Sequence, residues 1–391
     1  MVRRGRVTVC GLTGLAMLAA CSSFTGTGPG PGELDAGVGD GAAVESASDG
    51  SGDDGGPCRS RSTPTQPCFV SGSCTTSSVS TSVTLPGALT LKYPHDPARW
   101  ENKLFFVIHR ANPEGRNRAD TGVIFRVDLP SMQNLTQFTN ALDRPGWLRV
   151  DGHHLYWREI VGAKSEIRRI DLAPRQPCIA GCTPEVVVSI GGQLEPFDVV
   201  SENDVYFRHG DSTLKRTVRS DAGWQPPTTS TSASRGILGR GLWAGRIEAT
   251  RTTSLYAVGA PGAFEPIATW QGEDPGIGVV VASCRGTFLF DRTRGDLPLQ
   301  RIALGAGGGI SPVPCTNNCR SEDVYGLSAD GSFAYVATPN AGGGIRAYPL
   351  AGGAAANLIT GDIWNVVEDD DALYFADVDG ARVGRIAKHA E

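Results

Sequence analysis

Six histidines and a scatter of carboxylates are the side chains of this chain with most scope for chemistry. His109 and His209 each follow an apolar-aromatic run, at matching places. Imidazoles gathered with carboxylates can hold a divalent ion, which acidifies a bound water or polarises a carbonyl. Asp198, Asn203, Asn365, Glu368 and Asp371 follow or lie on short apolar runs and offer the oxygens that Ca²⁺ or Mg²⁺ prefers. Neither set has the fixed spacing of a ligand motif. Asn and Asp in such places ordinarily cap turn amides. His153-His154 sits in a turn-like stretch, and His95 and His389 are single. No G-x-S-x-G, phosphate-cradling loop or H-E-x-x-H occurs. We therefore assign no catalytic, cofactor-binding or metal-binding residue, and read these groups as loop histidines and turn acids.

The elements that position them come from a repeat. An apolar-aromatic triplet recurs: Leu104-Phe105-Phe106, Leu155-Tyr156-Trp157, Val205-Tyr206-Phe207, Leu255-Tyr256-Ala257, Phe288-Leu289-Phe290, Ala334-Tyr335-Val336 and Leu373-Tyr374-Phe375. Such residues favour a pleated, buried strand. Acid, Asn or Gly clusters such as Val150-Asp151-Gly152 and Asp369-Asp370-Asp371 precede them and read as tight turns. A second piece, apolar-x-Arg, follows in Ile124-Phe125-Arg126, Ile167-Arg168-Arg169, Leu214-Lys215-Arg216, Leu299-Gln300-Arg301 and Val383-Gly384-Arg385. Ile345-Arg346-Ala347 keeps the frame without the Arg, and Phe264-Glu265-Pro266 is a weak copy. Arginines at one structural position pack their stems between repeats and pair with turn carboxylates. A third piece precedes the triplets, as in Gly146–Val150, Pro196–Val200, Ile277–Val281, Val324–Leu327 and Ile363–Val367. Self-similarity at roughly 35–50 residues with strand chemistry marks a propeller or solenoid, and no long helical period competes.

The repeat resembles the bacterial relatives of YWTD and NHL-type propellers. Leu155-Tyr156-Trp157-Arg158-Glu159 and Leu373-Tyr374-Phe375-Ala376-Asp377 are similar to their L-Y-W-T-D, and Ile124-x-Arg126-x-x-Leu129 to the I-x-R-x-x-L that follows it. The likeness spans most of residues 100–391, although no copy keeps the full Y-W-T-D. It implies an all-β fold, a single β-propeller over residues 79–391. Seven triplets favour seven blades, with six the alternative. Within each blade the third piece is the innermost strand, the triplet strand two, the Arg piece strand three, and a segment such as Val186-Val187-Val188 strand four. The innermost strand of blade four, near Ile237 to Trp243, is poorly defined. The last copy is too short for a whole blade, so Val79–Leu89 is expected to supply its outer strand and Leu89–Trp100 to open the first blade. Joining both chain ends in one blade closes the ring and removes a sheet edge. Some propellers are metal-dependent lyases or lactonases with channel histidines, and that is the alternative function.

The first residues form an export signal: Arg3, Arg4 and Arg6, an apolar run from Val7 to Leu18, and small residues at Ala19-Ala20-Cys21. The run is too short to span a bilayer. Leu18-Ala19-Ala20-Cys21 resembles a bacterial lipobox, so residues 1–20 are expected to be removed and Cys21 to carry lipid. Several acyl chains suffice for stable anchoring. Ser22 following Cys21 favours the outer membrane, by the sorting rule of enteric bacteria. Residues 21–78 read as an acidic Gly/Ser-rich tether with a cysteine-bearing end. Ser22 to Pro57 holds seven acids and no Lys or Arg, too polar to offset its ordering entropy. Its reach is roughly 30–36 Å by coil scaling. Net charge is −5, and the part from Cys58 onward is nearly neutral. That balance excludes nucleic acid as a partner, because phosphate binding needs a basic surface.

Of ten cysteines, Cys10 leaves with the signal and Cys21 takes lipid. The remaining eight, in an exported chain, favour disulfides. Cys178-x₃-Cys182 and Cys315-x₃-Cys319 are expected to be local bridges that pin loops. A zinc site with two C-x₃-C arms has little histidine to support it. Cys58, Cys68, Cys74 and Cys284 leave three connectivities open. The expected function is a lipid-anchored, monomeric binding or scaffolding module of the bacterial cell envelope, meeting a protein or glycan through the loops 112–119, 174–184 and 312–321. Its contact with the membrane is through Cys21.

Overall fold

The computed structural model describes residues 74–389 apart from short internal segments, the longest being 111–120, 258–265, 272–277, 292–297 and 320–325. The signal segment, Cys21 and the acidic tether lie outside the described residues, as do Cys58, Cys68, Cys284 and the 112–119 loop.

Short strands with turn residues between them can bury an apolar face only by stacking against copies of themselves. Here they form seven antiparallel sheets, the blades of a seven-bladed β-propeller. Blade 1 runs through Leu89–Trp100, Lys103–Arg110, Thr121–Asp128 and Gln133–Gln137, from the axis outward. Blade 2 is Gly146–Asp151, His154–Val161, Lys164–Asp171 and Glu185–Gly191. Blade 3 is Leu194–Ser201, Asp204–His209, Thr213–Ser220 and Thr228–Thr231. Blade 4 is Arg235–Gly239, Leu242–Ile247, Thr252–Ala257 and Pro266–Gln271. Blade 5 is Gly278–Ser283, Gly286–Asp291, Leu299–Ile302 and Ile310–Pro312. Blade 6 is Gly326–Ala329, Phe333–Thr338, Gly344–Pro349 and Ala356–Thr360. Blade 7 takes Ile363–Glu368, Ala372–Asp377 and Arg382–Ala387 from the C-terminal end and Thr76–Ser80 from the N-terminal side.

The closing strand differs from the sequence expectation. Thr76–Ser80, not Val79–Leu89, pairs with Arg382–Ala387, in register Val79 to Val383. Val83–Leu85 instead folds back on the start of Leu89–Trp100. Innermost strands neighbour one another all the way round, from blade 1 through blade 7 and back to blade 1. Among the described residues each pairs with strand two alone, except in blade 1, where the start of Leu89–Trp100 also pairs with Val83–Leu85. We call upper the face holding the blade-to-blade crossovers and the strand two–three loops. The strand one–two hairpins lie on the lower face.

Seven apolar clusters sit one to a seam. Strand two is buried on both sides, which explains its apolar runs. In blade 2, Leu155 and Trp157 pack toward blade 1 while Tyr156 packs toward blade 3. Two blades depart from the pattern read in sequence. In blade 4 the second strand carries Leu242-Trp243-Ala244, and Leu255-Tyr256-Ala257 lies on the third strand. In blade 5 the aromatics Phe288 and Phe290 face the next blade, with Leu289 facing back, one residue out of step with the other triplets. A one-residue shift exchanges the two faces of a strand.

Candidate functional site

The strand-three arginines are structural. Arg169 lies across the ladder from Tyr156, Arg216 from Tyr206, Arg301 from Phe288 and Arg385 from Tyr374. Arg216 also donates to both oxygens of Asp204, at 2.8 and 2.7 Å. Blade 6 has Ala347 opposite Tyr335. There Lys388, on the end of blade 7, covers the ring at 5.1 Å and pairs with Glu368 at 2.6 Å and Asp330 at 3.1 Å. The Tyr335 hydroxyl donates to Asp330, and Tyr374 repeats this on Asp369 at 2.7 Å. Burial pushes Tyr156 up to about 12, against the opposing pull of Arg169.

The proposed chemical residues do not converge. His109 is buried on blade 1, while His209 is half-buried on blade 3 with Nε2 3.0 Å from the Gly191 carbonyl. Asp198 faces Arg149 at 3.9 Å, and Glu368 faces Lys388. Asn203 and Asp371 give their carbonyls to the Arg219 and Lys388 amides. The Asn365 side chain accepts from the Val366 amide at 2.9 Å. His153 is exposed in its turn. Burial lowers His154, and Arg169 adds to the effect. Among the described residues no three His, Cys, Asp or Glu groups gather as a metal site.

The structure does bring together residues that the sequence did not single out. His95, on the innermost strand of blade 1, meets His109 edge-on with centroids 5.1 Å apart and Trp364 of blade 7 at 5.6 Å. Both histidines are nearly fully buried. Next to His95, Asp96 accepts the Trp147 amide of blade 2 at 2.8 Å. Trp364, Asp96 and Trp147 are half-buried at register shifts of their innermost strands, and the Trp147 side chain packs against the apolar cluster of the blade 2–3 seam.

The 174–184 and 312–321 loops serve seams. Cys178–Cys182 is a disulfide, Cα atoms 5.2 Å apart, in the strand three–four connection of blade 2. Cys178 donates its amide to Phe138 at the exit of blade 1, and the Asn140 side chain donates to the Ile179 carbonyl. Cys315–Cys319, with Cα atoms 5.9 Å apart, occupies the exit of blade 5. Gly353, in the strand three–four connection of blade 6, donates to Pro314 and accepts from Thr316. The two bridges thus staple one kind of seam from opposite sides. Cys74 is also disulfide-bonded.

No protein-family model matches the chain, and no curated protein matches it in sequence. Solved structures do. The WD40 β-propeller domain of Doa1 is similar at TM-score 0.52 and 13% identity, over 81% of this chain and 98% of that one. This likeness supports a propeller fold and nothing about activity. The β-propeller domain of the Trilobed protease from Pyrococcus furiosus matches at TM-score 0.46 and 10% identity, over 76% and 94%. The computationally designed Ika8 protein matches at 0.46 and 10%, over 79% and 100%.

Proposed function

We propose that this chain is a lipid-anchored binding or scaffolding module of the bacterial cell envelope. Cys21 holds it to the outer membrane, the acidic tether gives reach, and a monomeric rigid disc presents its faces to a protein or glycan. One observation carries the binding reading. Asp198, Glu368 and His209, first considered for channel chemistry, are engaged in holding blades and turns. The stapled seams add the rigidity that preorganises a binding surface.

The second reading, a metal-dependent lyase or lactonase, has the His95–His109 pair in its favour. Elemental analysis of the purified full chain, with and without EDTA, separates the two. A binding module contains no stoichiometric divalent ion, and EDTA leaves its melting temperature unchanged. One bound ion per chain, removable with the fold intact, overturns this proposal in favour of the enzyme.

A further inference from the structure

The two C-x₃-C bridges share a spacing and a task, yet their sulfurs sit in different surroundings. Cys178 is buried with Leu148, Trp157 and Leu172 in the blade 1–2 seam, while Cys182 is exposed. Cys315 and Cys319 are both half-buried, and Cys315 lies against the apolar cluster of the blade 5–6 seam. Disulfide exchange needs a thiolate to reach one sulfur while the other leaves as thiolate. At Cys178–Cys182 the reachable sulfur is that of Cys182. The leaving thiolate is then Cys178, and apolar burial disfavours its charge. At Cys315–Cys319 either sulfur is open to attack, and either leaves into a partly aqueous site.

Both bridges close loops with a sequence separation of 4 residues, so chain entropy couples each to the fold by only about twenty-fold. Folding protects such a bridge from reduction by that same factor. Cys315–Cys319 also has a place ready for its reduced form. The Asn317 carbonyl lies 3.6 Å from the Cys315 sulfur and 3.4 Å from the Cys319 sulfur. A disulfide has no proton to give that oxygen, whereas a thiol donates weakly to it.

The bridge holds a strip of main chain across the seam. The Gly353 amide donates to Pro314 at 2.9 Å, the Thr316 amide to Gly353 at 3.1 Å and the Ala355 amide to Asn317 at 3.0 Å. Pro314, Thr316 and Asn317 are exposed, so water competes for all three bonds. Beside the strip lie the buried side chains of Val313, Tyr348, Leu350 and Ala355.

We propose that Cys315–Cys319 is a redox-active pair, exchanged by a dithiol reductant, whose reduction loosens the blade 5–6 staple while Cys178–Cys182 stays closed. A thiolate of the reductant bonds to one sulfur and expels the other as a thiolate, which takes a proton. The reductant's second thiol, losing its proton, attacks the reductant sulfur of that mixed disulfide. The reductant closes its own disulfide, and the remaining cysteine leaves and is protonated. Two electrons and two protons thus pass from the dithiol to the pair.

The test is graded dithiothreitol on the folded full chain, followed by alkylation and peptide mapping, with amide exchange of the same samples. Cys315 and Cys319 should be alkylated at roughly one-tenth or less of the dithiothreitol that opens Cys178–Cys182. Exchange at Gly353 and Ala355 should rise about twenty-fold with that step, while the amide at position 178 keeps its rate. Oxidised dithiothreitol should reverse both changes. The Cys315→Ser, Cys319→Ser double variant should exchange fast at Gly353 with or without reductant, which separates this pair from the other cysteines. The proposal is overturned by any of four results: Cys178–Cys182 opening first or together with it, a Cys315–Cys319 bridge that persists until the fold melts, reduction that leaves Gly353 exchange unchanged, or a double variant still sensitive to reductant at Gly353.

Discussion

Arg169 stands directly across the ladder from Tyr156 and reaches the next blade, donating to the Glu202 carbonyl at 2.6 Å. It also pairs with Glu185 at 2.7 Å and lies 5.0 Å from the Trp224 ring. One guanidinium therefore joins strands two, three and four of blade 2 to blade 3. The other strand-three arginines repeat the first part of this arrangement.

Removing it should be costly. Arg169 is 3% exposed, so Arg169→Ala leaves a carboxylate and a carbonyl short of their donor. Glu185 is 39% exposed and keeps Arg219 at 3.4 Å, so the cost is that of the lost hydrogen bonds, about 1–3 kcal/mol. Arg169→Lys should recover part of that, since an ammonium cannot reproduce the fork. Urea midpoints for the three proteins measure both effects, and a near-neutral alanine variant would contradict the assignment.

Lys388 gives a pH signature. Burial works against its charge, but the Glu368 and Asp330 carboxylates outweigh that and raise its pKa. Burial likewise works to raise Asp330, while Lys388, the Tyr335 hydroxyl and two amides hold it below the usual range. A depressed carboxylate stabilises the fold above its unfolded pKa, and that contribution disappears as pH falls through the folded value. In Lys388→Met the two carboxylates lose their cation and prefer to be protonated. The variant should therefore lose about 3–5 kcal/mol at pH 7. The gap should narrow as pH falls toward the ordinary carboxylate pKa near 4. Unfolding curves at pH 7 and 4.5 check this, and a gap independent of pH would count against it.

The two C-x₃-C bridges should stabilise their seams separately. Each closes a short loop with a sequence separation of 4 residues. Loop-closure entropy assigns such a bridge roughly 2 kcal/mol. Replacing either pair by serines should lower the melting temperature. It should also speed exchange of the backbone amide at position 178 in one case and at Gly353 in the other. Exchange rates unchanged at both amides would mean the seams hold without the bridges.

Much of the ring was legible because strand two must be buried on both faces. That demand writes Leu155-Tyr156-Trp157 and its copies into the sequence. Where it failed, two adjacent strands were both apolar enough to qualify. In blade 4, Leu242-Trp243-Ala244 and Leu255-Tyr256-Ala257 both read as triplets, and only the ladder decides between them. In blade 5, Phe288-Leu289-Phe290 is aromatic at both ends, so its phase is ambiguous in sequence. The channel set was invisible for another reason. A bulge is a mismatch between two strands, and nothing in Asp96-Pro97 or Trp364-Asn365 alone marks one. Arginine pairing was anticipated, but not that Lys388 would replace the missing blade 6 arginine from the neighbouring blade.

The most direct test of the envelope account is mass spectrometry of the mature N-terminus from protein made in a lipoprotein-processing bacterium. The account expects the chain to begin at Cys21, bearing a diacylglyceryl thioether and an N-acyl group, and Cys21→Ser to abolish both. A mature protein that begins elsewhere, or carries an unmodified Cys21, would contradict it.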